Sequence, residues 1–313
     1  MHIRSRFLAK LTQVNNVRRI QLLVSVMRRS AGSLKDMAKR LLPPLVVDWL
    51  RPVWQTICFG APEWEYLPEG WMTQDPKIKG WNVKSVSRTE EIKWPEFLRL
   101  TQGTGPLGVA HESPMLTNDN YDAHHLVMTY GYVLALAARM KKQISILDWG
   151  GGIGHDAILS KCLLPNLQIE YCCKDVTSIC ESGSKLLHEV SFVDNEEAVL
   201  NRSFDLVLVS GSLQCVENWK SVARLLTSVT KSYLYITRLP IVKQSKSFVA
   251  VQRTYAYGYD TEHMCWFLNR GEFLDHFASL QLELVREFVF EKHPAVKNAP
   301  ERAEIRGFLF CSK

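Results

Sequence analysis

Hydrophobic and polar residues follow two different patterns along this chain, and the change falls near His111. Before it, apolar residues recur at helical spacing over residues 7–42, and a Trp- and Pro-rich stretch follows with a short helical pattern around residues 90–101. After it, residues 121–140 have the pattern of one long helix, and short apolar runs then alternate with helical segments. This alternation is typical of a parallel sheet covered by helices.

Seven of the apolar runs have the length of strands. They cover residues 145–148, 169–173, 190–193, 206–209, 233–237, 282–290 and 306–311. Only a loop separates the last two, so they are expected to pair antiparallel, whereas helices separate the earlier neighbours. The predicted fold class is therefore α/β: a Rossmann-like, mostly parallel sheet with an antiparallel C-terminal hairpin and an N-terminal helical and irregular extension.

The charge of the chain is unevenly placed. The formal net charge is +6, and residues 1–51 hold eleven Lys and Arg residues against Asp36 and Asp48. We therefore expect a basic amphipathic helical arm (1–51), a Trp- and Pro-rich irregular cover (52–110) and a main domain (111–313). A locally basic arm favours an anionic membrane surface, an acidic protein or a phosphate-rich surface as its partner, and no nucleic acid is expected. A solvated helix face is the alternative.

The chain has eight cysteines, with no CxxC pair and no histidine at zinc-finger spacing. They are Cys58, Cys162, Cys172, Cys173, Cys180, Cys215, Cys265 and Cys311. No metal site is expected, and reduced thiols are favoured over disulfides. No apolar run approaches the roughly 18 residues that span a bilayer, and no small-residue cleavage site follows the early apolar run. The expected location is the cytoplasm, with peripheral contact at the inner face of the membrane through residues 1–51.

A glycine-rich turn follows the first strand of the predicted sheet, which ends at Asp148. Its glycines are Gly150, Gly151, Gly152 and Gly154. Bare backbone at the carboxyl end of a strand allows a ligand to approach closely, and the helix that begins near His155 adds free amide groups suited to a carboxylate. The dinucleotide pattern G-x-G-x-x-G fails, because its sixth position counted from Gly150 is His155.

The segment 147–155, LDWGGGIGH, resembles motif I of class I S-adenosylmethionine (SAM) dependent methyltransferases. More narrowly, it is similar to the LDWGGGxGH signature of a bacterial methyltransferase family, with the likeness extending from about Trp64 to Phe310. Members of that family resemble modifiers of glycans or surface polysaccharides. The resemblance implies an enzyme that uses SAM as its cofactor, with residues 111–313 as the methyltransferase domain.

The resemblance also implies which residues hold SAM. Asp148 and the glycines at 150, 151, 152 and 154 would border its methionine end. Asp175, after the second strand, would bind the ribose hydroxyls, because one carboxylate accepts from both; Glu170 is a rival, and helix capping is another role for Asp175. Asp194, after the third strand, would lie at the adenine amino group and Ser210, after the fourth, near the methyl group, with plain turns as the alternative for both.

Methyl transfer to a hydroxyl needs a positioned acceptor and a base. The histidines considered as the base are His124, His125, His155 and His263, since histidine titrates near neutral pH. Residues 255–263 have the appearance of an insertion after the fifth strand. Tyr257, Tyr259, Glu262 and His263 of this segment form a candidate acceptor wall, with packing in the core as the alternative for its aromatic rings. The candidate catalytic residues are His155, His124, His263, Tyr259 and Glu262. Arg238 and Arg253 are candidates for an anionic substrate group or for pairing with carboxylates.

The stretch after the fourth strand, Ser-Gly-Ser-Leu, lacks the Asn/Asp-Pro-Pro-aromatic tetrad of nucleobase N-methylation, and Cys215 follows Gln214 where cytosine C5 enzymes need Pro-Cys. The leading hypothesis is O-methylation of a sugar hydroxyl in a glycan or surface-polysaccharide precursor, with a small-molecule or glycan acceptor. One alternative is N- or O-methylation of a small metabolite or peptide, and another is a non-catalytic adaptor with the SAM fold.

Overall fold

The computed structural model of the protein describes residues 61–71, 75–113, 115–291 and 293–312. Its strands are β1 (Trp64–Leu67), β2 (Gln143–Trp149), β3 (Gln168–Lys174), β4 (Ser191–Val193), β5 (Phe204–Ser210), β6 (Thr230–Val242), β7 (Phe248–Arg253), β8 (Glu262–Asn269), β9 (Leu282–Phe290), β10 (Val296–Lys297) and β11 (Glu304–Ser312). Its helices are α1 (Lys84–Thr101), α2 (Tyr121–Ala138), α3 (His155–Leu163), α4 (Thr177–Leu186), α5 (Glu197–Leu200), α6 (Trp219–Val229) and α7 (Arg270–Ser279). The predicted basic arm (1–51) and the first residues of the predicted cover region lie outside the described residues.

The strands form one branched sheet. Its main part has the order β4-β3-β2-β5-β6-β11-β9. The first five of these strands run parallel, and β11 is antiparallel to both β6 and β9. All seven predicted strands, the antiparallel C-terminal hairpin and the α/β fold class are therefore confirmed.

A second group of strands continues the sheet beyond β6. Ile241 and Val242 at the end of β6 pair in parallel with Leu268 and Asn269 of β8. β8 forms an antiparallel hairpin with β7, β1 pairs antiparallel with β7, and β10 pairs parallel with β1. The predicted insertion after the fifth strand is thus part of a strand hairpin that extends the sheet.

Helices bury both faces of the main sheet. On β5, Leu206 and Leu208 belong to the apolar core shared with α1, α2 and α3, whereas Val207 and Val209 belong to the core shared with α6 and α7. Successive strand residues point to opposite faces, so a strand covered on both sides is apolar throughout. This double burial explains the uninterrupted hydrophobic run that made β5 predictable.

The helices differ from their predicted bounds at two places. α1 begins at Lys84, well before the predicted pattern at residue 90, because few apolar residues mark its first turns. α2 ends at Ala138, and Met140 has a left-handed φ of 61°, which ends the helix before the predicted residue 140. Within the described residues, no helix combines the length and the hydropathy needed to cross a bilayer.

Candidate functional site

The chain turns sharply where β2 ends, and two glycines make this turn possible. Gly150 has φ +75°, and a Cβ added there would lie 2.2 Å from the Cβ of Ser212. Gly152 has φ +61°, but a Cβ added there would meet only Nδ1 of His155, 3.8 Å away. The backbone at Gly150 is therefore packed against the protein, whereas the backbone at Gly152 borders open space.

Asp175, directly after β3, joins this turn to the neighbouring strand. The Gly152 N–H donates to its Oδ2 at 2.8 Å, and the Val176 N–H donates to its Oδ1 at 2.7 Å. The Gly150 N–H also donates to the carbonyl of Lys174 at 2.7 Å. Burial raises the pKa of Asp175, and the two amide donors oppose that effect. The structure thus brings the predicted glycine turn and the predicted acid together at one edge of the sheet.

Asp148 lies under the turn and is fully buried. The hydroxyl of Tyr171 donates to its Oδ2 at 2.8 Å, while Oδ1 has no hydrogen-bond partner among the described residues. A Cβ on Gly151 would lie 2.2 Å from Oδ2, so the carboxyl supports the turn from below. Burial, followed by the nearby charge of Asp156, raises the pKa of Asp148 well above its ordinary value. The contact between Tyr171 and Asp148 was not predicted, because no local pattern marks it.

Asp194 and Ser210 end the two strands that flank this edge. Asp194 is exposed, accepts from the hydroxyl of Thr177 at 2.9 Å and follows Val193, whose carbonyl accepts the Asp175 N–H at 3.2 Å. Ser210 lines a cavity of about 40 Å³ whose walls come from α2, α3, β5 and β6. A volume of this size holds a few waters. Asp194 therefore directly follows β4, and Ser210 is the last residue of β5.

His155, the first residue of α3, is buried under α1, and its Nδ1 faces the glycine turn, 3.8 Å from the position of a Cβ added to Gly152. Its ring stacks on His111 with centroids 4.2 Å apart and contacts Phe97 edge-on at 4.6 Å. Its Nε2 lies 3.4 Å from Oε2 of Glu90. Burial, with a further contribution from His111, lowers the pKa of His155 well below its usual value. The imidazole is therefore neutral at pH 7.

Glu90 on α1 collects several of the polar groups around His155. The hydroxyl of Tyr259 donates to it, and Nζ of Lys93 lies 3.9 Å from its Oε1. Lys93 also donates to the carbonyls of His111 at 3.2 Å and Tyr257 at 3.4 Å. Burial raises the pKa of Tyr259, and the Glu90 charge adds to this effect. Tyr259 is thus brought to His155 through Glu90, a residue that sequence reasoning missed.

His263 lies in a different buried cluster, with Cys215 and Cys265. The two sulfur atoms are 3.3 Å apart. Their hydrogen bond holds the pKa of Cys215 well below its ordinary range despite burial, while burial raises the pKa of Cys265. Among the described residues, this cluster and the group of Glu90, His111 and His155 have ligand atoms close enough together to hold a metal ion.

The remaining candidates, Glu262 and His124, lie away from His155 and differ in their contacts. Glu262 accepts from the hydroxyl of Tyr255 at 2.7 Å and lies 3.4 Å from Nε of Arg253. His124 is half-buried on α2, and its Nδ1 has no hydrogen-bond partner among the described residues. The residues of the predicted acceptor wall thus have different polar partners, although the Trp81 ring contacts both Tyr259, at 6.1 Å between centroids, and His263, at 4.2 Å.

Arg238, which follows the predicted strand 233–237 but lies within β6, pairs with Glu112 through Nη2 and Oε2 at 2.5 Å. The charge of Glu112 raises the pKa of Arg238. Arg253 pairs with Glu65 at 2.9 Å. Both arginines thus have the carboxylate partners that the sequence left open as the alternative to binding an anionic substrate.

The comparisons with known proteins give similarity in fold alone. No protein-family profile and no curated protein matches the sequence. Magnesium protoporphyrin IX methyltransferase from Synechocystis PCC 6803, with bound SAM, has 12% identity and a TM-score of 0.42 over 74% of this chain and 100% of its own. The N-terminal domain of EvdMO1, with S-adenosylhomocysteine and D-fucose, has 12% identity and a TM-score of 0.43 over 77% and 100%. The glycopeptide N-methyltransferase MtfA, with sinefungin, has 12% identity and a TM-score of 0.42 over 59% and 86%. A likeness of this degree leaves the function to be argued from the site.

Proposed function

We propose that this protein is a SAM-dependent methyltransferase. The observation that carries the proposal is the hydrogen bond from the Gly152 N–H to Asp175, which joins a glycine turn after β2 to a carboxylate after β3. A ligand with a charged amino-acid end and a ribose needs these two features side by side at the carboxyl edge of a parallel sheet. SAM is such a ligand, and it supplies a methyl group on a sulfonium.

The residues at this edge fit the parts of SAM. Open space beside Gly152 and the free amides at the start of α3 suit the carboxylate of the methionine end. Asp175 has lone pairs left after accepting two amide hydrogens, and these suit the ribose hydroxyls. Asp194 follows the next strand and suits the adenine amino group. Asp148 supports the turn from below.

The acceptor is a hydroxyl, and we assign it to a sugar of a glycan or surface-polysaccharide precursor. This part rests on the sequence resemblance and on the half-buried rings of Trp81 and Tyr257, which suit the face of a sugar. A hydroxyl acceptor needs a base. His155 is covered by α1 and neutral, whereas His111 stacks on it and is partly exposed, so His111 is the imidazole that best reaches an acceptor.

Calorimetry with SAM and S-adenosylhomocysteine tests the cofactor site. We expect binding to the wild-type protein and none to Gly152→Val, because the side chain would enter the open space that the cofactor needs. Gly103→Val is the matched control: Gly103 also has a positive φ and a Cβ there meets nothing within 4 Å, so backbone strain is comparable while SAM binding should persist.

Two outcomes would contradict the proposal. One is SAM binding to folded Gly152→Val with wild-type affinity, and the other is a wild-type protein that binds NAD and not SAM.

A labelling experiment tests the acceptor. When the protein is incubated with methyl-labelled SAM and bacterial extract, the label should appear in material that glycosidases release. Label confined to protein or small amines would contradict the sugar assignment and leave the methyltransferase proposal standing.

A further inference from the structure

Three side chains that bind metals well meet where β8 approaches the segment after β5. His263 and Cys265 are alternate residues of β8 and therefore lie on the same face of that strand. Cys215 ends the short 3-10 helix that follows β5. One ligand atom from each residue lies within 4.8 Å of the other two. The chain thus builds a two-sulfur, one-nitrogen group from segments about fifty residues apart.

The His263 ring is buried, and its hydrogen bonding is incomplete within the described part of the chain. Its exposed fraction is 2%, and neither Nδ1 nor Nε2 has the geometry of a hydrogen bond to any described residue, although the ring interacts with the Cys215 sulfur. The Trp81 ring covers it at a centroid distance of 4.2 Å. A buried polar group without a hydrogen bond costs about 1–3 kcal/mol, and in a folded protein such a group requires an explanation. A ligand for the imidazole nitrogen provides one.

We propose that Cys215, His263 and Cys265 form a binding site for Zn²⁺. Thiolate and imidazole are the donors that zinc prefers, and a set of three leaves the fourth tetrahedral position for water or a substrate atom. The two sulfurs are 3.3 Å apart, compared with roughly 3.8 Å for two thiolates on one tetrahedral zinc with Zn–S bonds of about 2.3 Å. The two sulfur atoms therefore need to move apart by only about half an ångström to bind one zinc ion.

The other group with metal-ligand spacing is less suited to a cation. In that group Glu90 already accepts from Tyr259, and the Lys93 ammonium lies 3.9 Å from its carboxylate. A fixed positive charge at that distance repels a second cation. By contrast, no Lys or Arg contact with Cys215, His263 or Cys265 occurs among the described residues.

The proposed zinc site lies next to the glycine turn after β2. This position does not depend on the methyltransferase proposal. Ser212, which packs against Gly150, lies three residues before Cys215 and donates to the Trp149 carbonyl at 2.6 Å. The cation would therefore be held by the same segment that closes the glycine turn.

Metal binding is measured on the full-length, reduced protein. The metal-free protein is titrated with Zn²⁺ against a chromophoric chelator and, separately, with Co²⁺, whose thiolate charge-transfer and visible absorption bands report sulfur ligation. We expect one equivalent of either ion. Cys215→Ser and His263→Gln should each weaken Zn²⁺ binding by at least about 100-fold, since loss of supporting contacts alone costs 10–100-fold. Cys162→Ser, which removes an exposed thiol, should bind as the wild type does.

A second measurement uses no variant, so it stands even where a variant fails to fold. Zn²⁺ should protect Cys215 and Cys265 from alkylation in the wild-type protein, as read by mass spectrometry of the peptides, and leave Cys162 reactive. The proposal is overturned if the folded wild type shows no cobalt–thiolate absorption or if Cys215→Ser retains wild-type affinity. It is also overturned if the reduced protein forms a Cys215–Cys265 disulfide in air in the presence of excess Zn²⁺.

Discussion

Asp205, near the start of β5, is a buried carboxylate compensated from several sides. Nζ of Lys141 and the N–H of Ser145 donate to it, each at 2.9 Å, and Nζ of Lys231 lies 3.3 Å away. Burial raises the pKa of this carboxyl, but the donors outweigh burial and lower the pKa from 3.8 to about 2. The folded state therefore favours the charged form and is stabilised by it.

We expect Asp205→Asn to lower the free energy of unfolding at pH 7 by about 2 kcal/mol, since one pKa unit corresponds to about 1.4 kcal/mol. Because the folded pKa is depressed, the wild type has this stabilisation in full above about pH 4 and loses it as the pH falls towards about 2. Urea unfolding between pH 7 and pH 3 should show the difference between variant and wild type shrinking. Asp275→Asn, on the exposed side of α7, should change stability by less than about 0.5 kcal/mol. A difference that stays constant with pH would contradict the charge argument.

The position of a functional residue could be predicted from the sequence when the residue directly follows a strand. Asp175 and Asp194 follow apolar runs, so their place at the sheet edge follows from the strands. Glu90 stands among other charged residues of α1, and its role was missed. The signal was present: Glu90 lies four residues before Trp94, on the face of the helix that becomes buried. Cys215 and Cys265 carry no such signal, because only the folded chain brings them together.

Among the elements, α1 shows how a helix with weak apolar patterning acquires its stability. Its inner face places Trp94 and Phe97 against His155, while Ile92 on the outer face is 70% exposed. Pro95 removes one backbone hydrogen bond within the helix. Tertiary packing must therefore hold this helix, as it does for most helices of globular proteins.

We expect Phe97→Ala to lower the free energy of unfolding by about 3–5 kcal/mol, because the fully buried ring leaves a cavity between α1 and α3. Ile92→Ala, from the same helix, removes an exposed side chain and should change stability by less than about 0.5 kcal/mol. Urea denaturation followed by circular dichroism measures both. Equal effects for the two variants would show that α1 contributes little to the core.

Some strands could be predicted from the sequence, and others could not. β2, β3, β5 and β6 were predicted from their apolar runs: β5 is buried over residues 204–209, and each of the other three contains at least three consecutive buried residues. β7 and β8 were not drawn as strands: sequence reasoning passed over the apolar run 248–251 of β7, and β8 contains Glu262, His263 and Asn269 among its apolar residues. β1 was missed because it has four residues and its partner β7 is distant in the sequence. Short, mixed strands with distant partners lack the local pattern on which prediction relies.

For the whole molecule, the charge distribution predicts a surface role for the N-terminal arm. Residues 1–51 have a formal net charge of +9, whereas the rest of the chain has −3, and Arg pairs lie at 18–19 and 28–29. An anionic membrane attracts such a segment by about 1 kcal/mol for each basic residue near the surface. The arm lies outside the described residues, so its membrane contact stays a prediction from sequence.

We expect the full-length protein to bind vesicles containing phosphatidylserine and to lose at least tenfold in affinity when the arginines at 18, 19, 28 and 29 become alanine. Vesicle co-sedimentation at two salt concentrations measures this, because electrostatic binding weakens with salt. Vesicles of phosphatidylcholine alone and calorimetric SAM binding serve as controls, and neither should distinguish variant from wild type. Unchanged binding to anionic vesicles would contradict the predicted membrane contact and favour the alternative, a solvated helix face.

The joint between β6 and β8 has a consequence for substitutions in the β7–β8 hairpin. Two residue pairs, Ile241 with Leu268 and Val242 with Asn269, connect the strands of the hairpin to the main sheet. The hairpin also touches α1 through Tyr259 and Glu90, and the segment after β5 through Cys265 and Cys215. A substitution in the hairpin therefore acts on the glycine turn through side-chain contacts, with little leverage on the register of β2, β3 and β5.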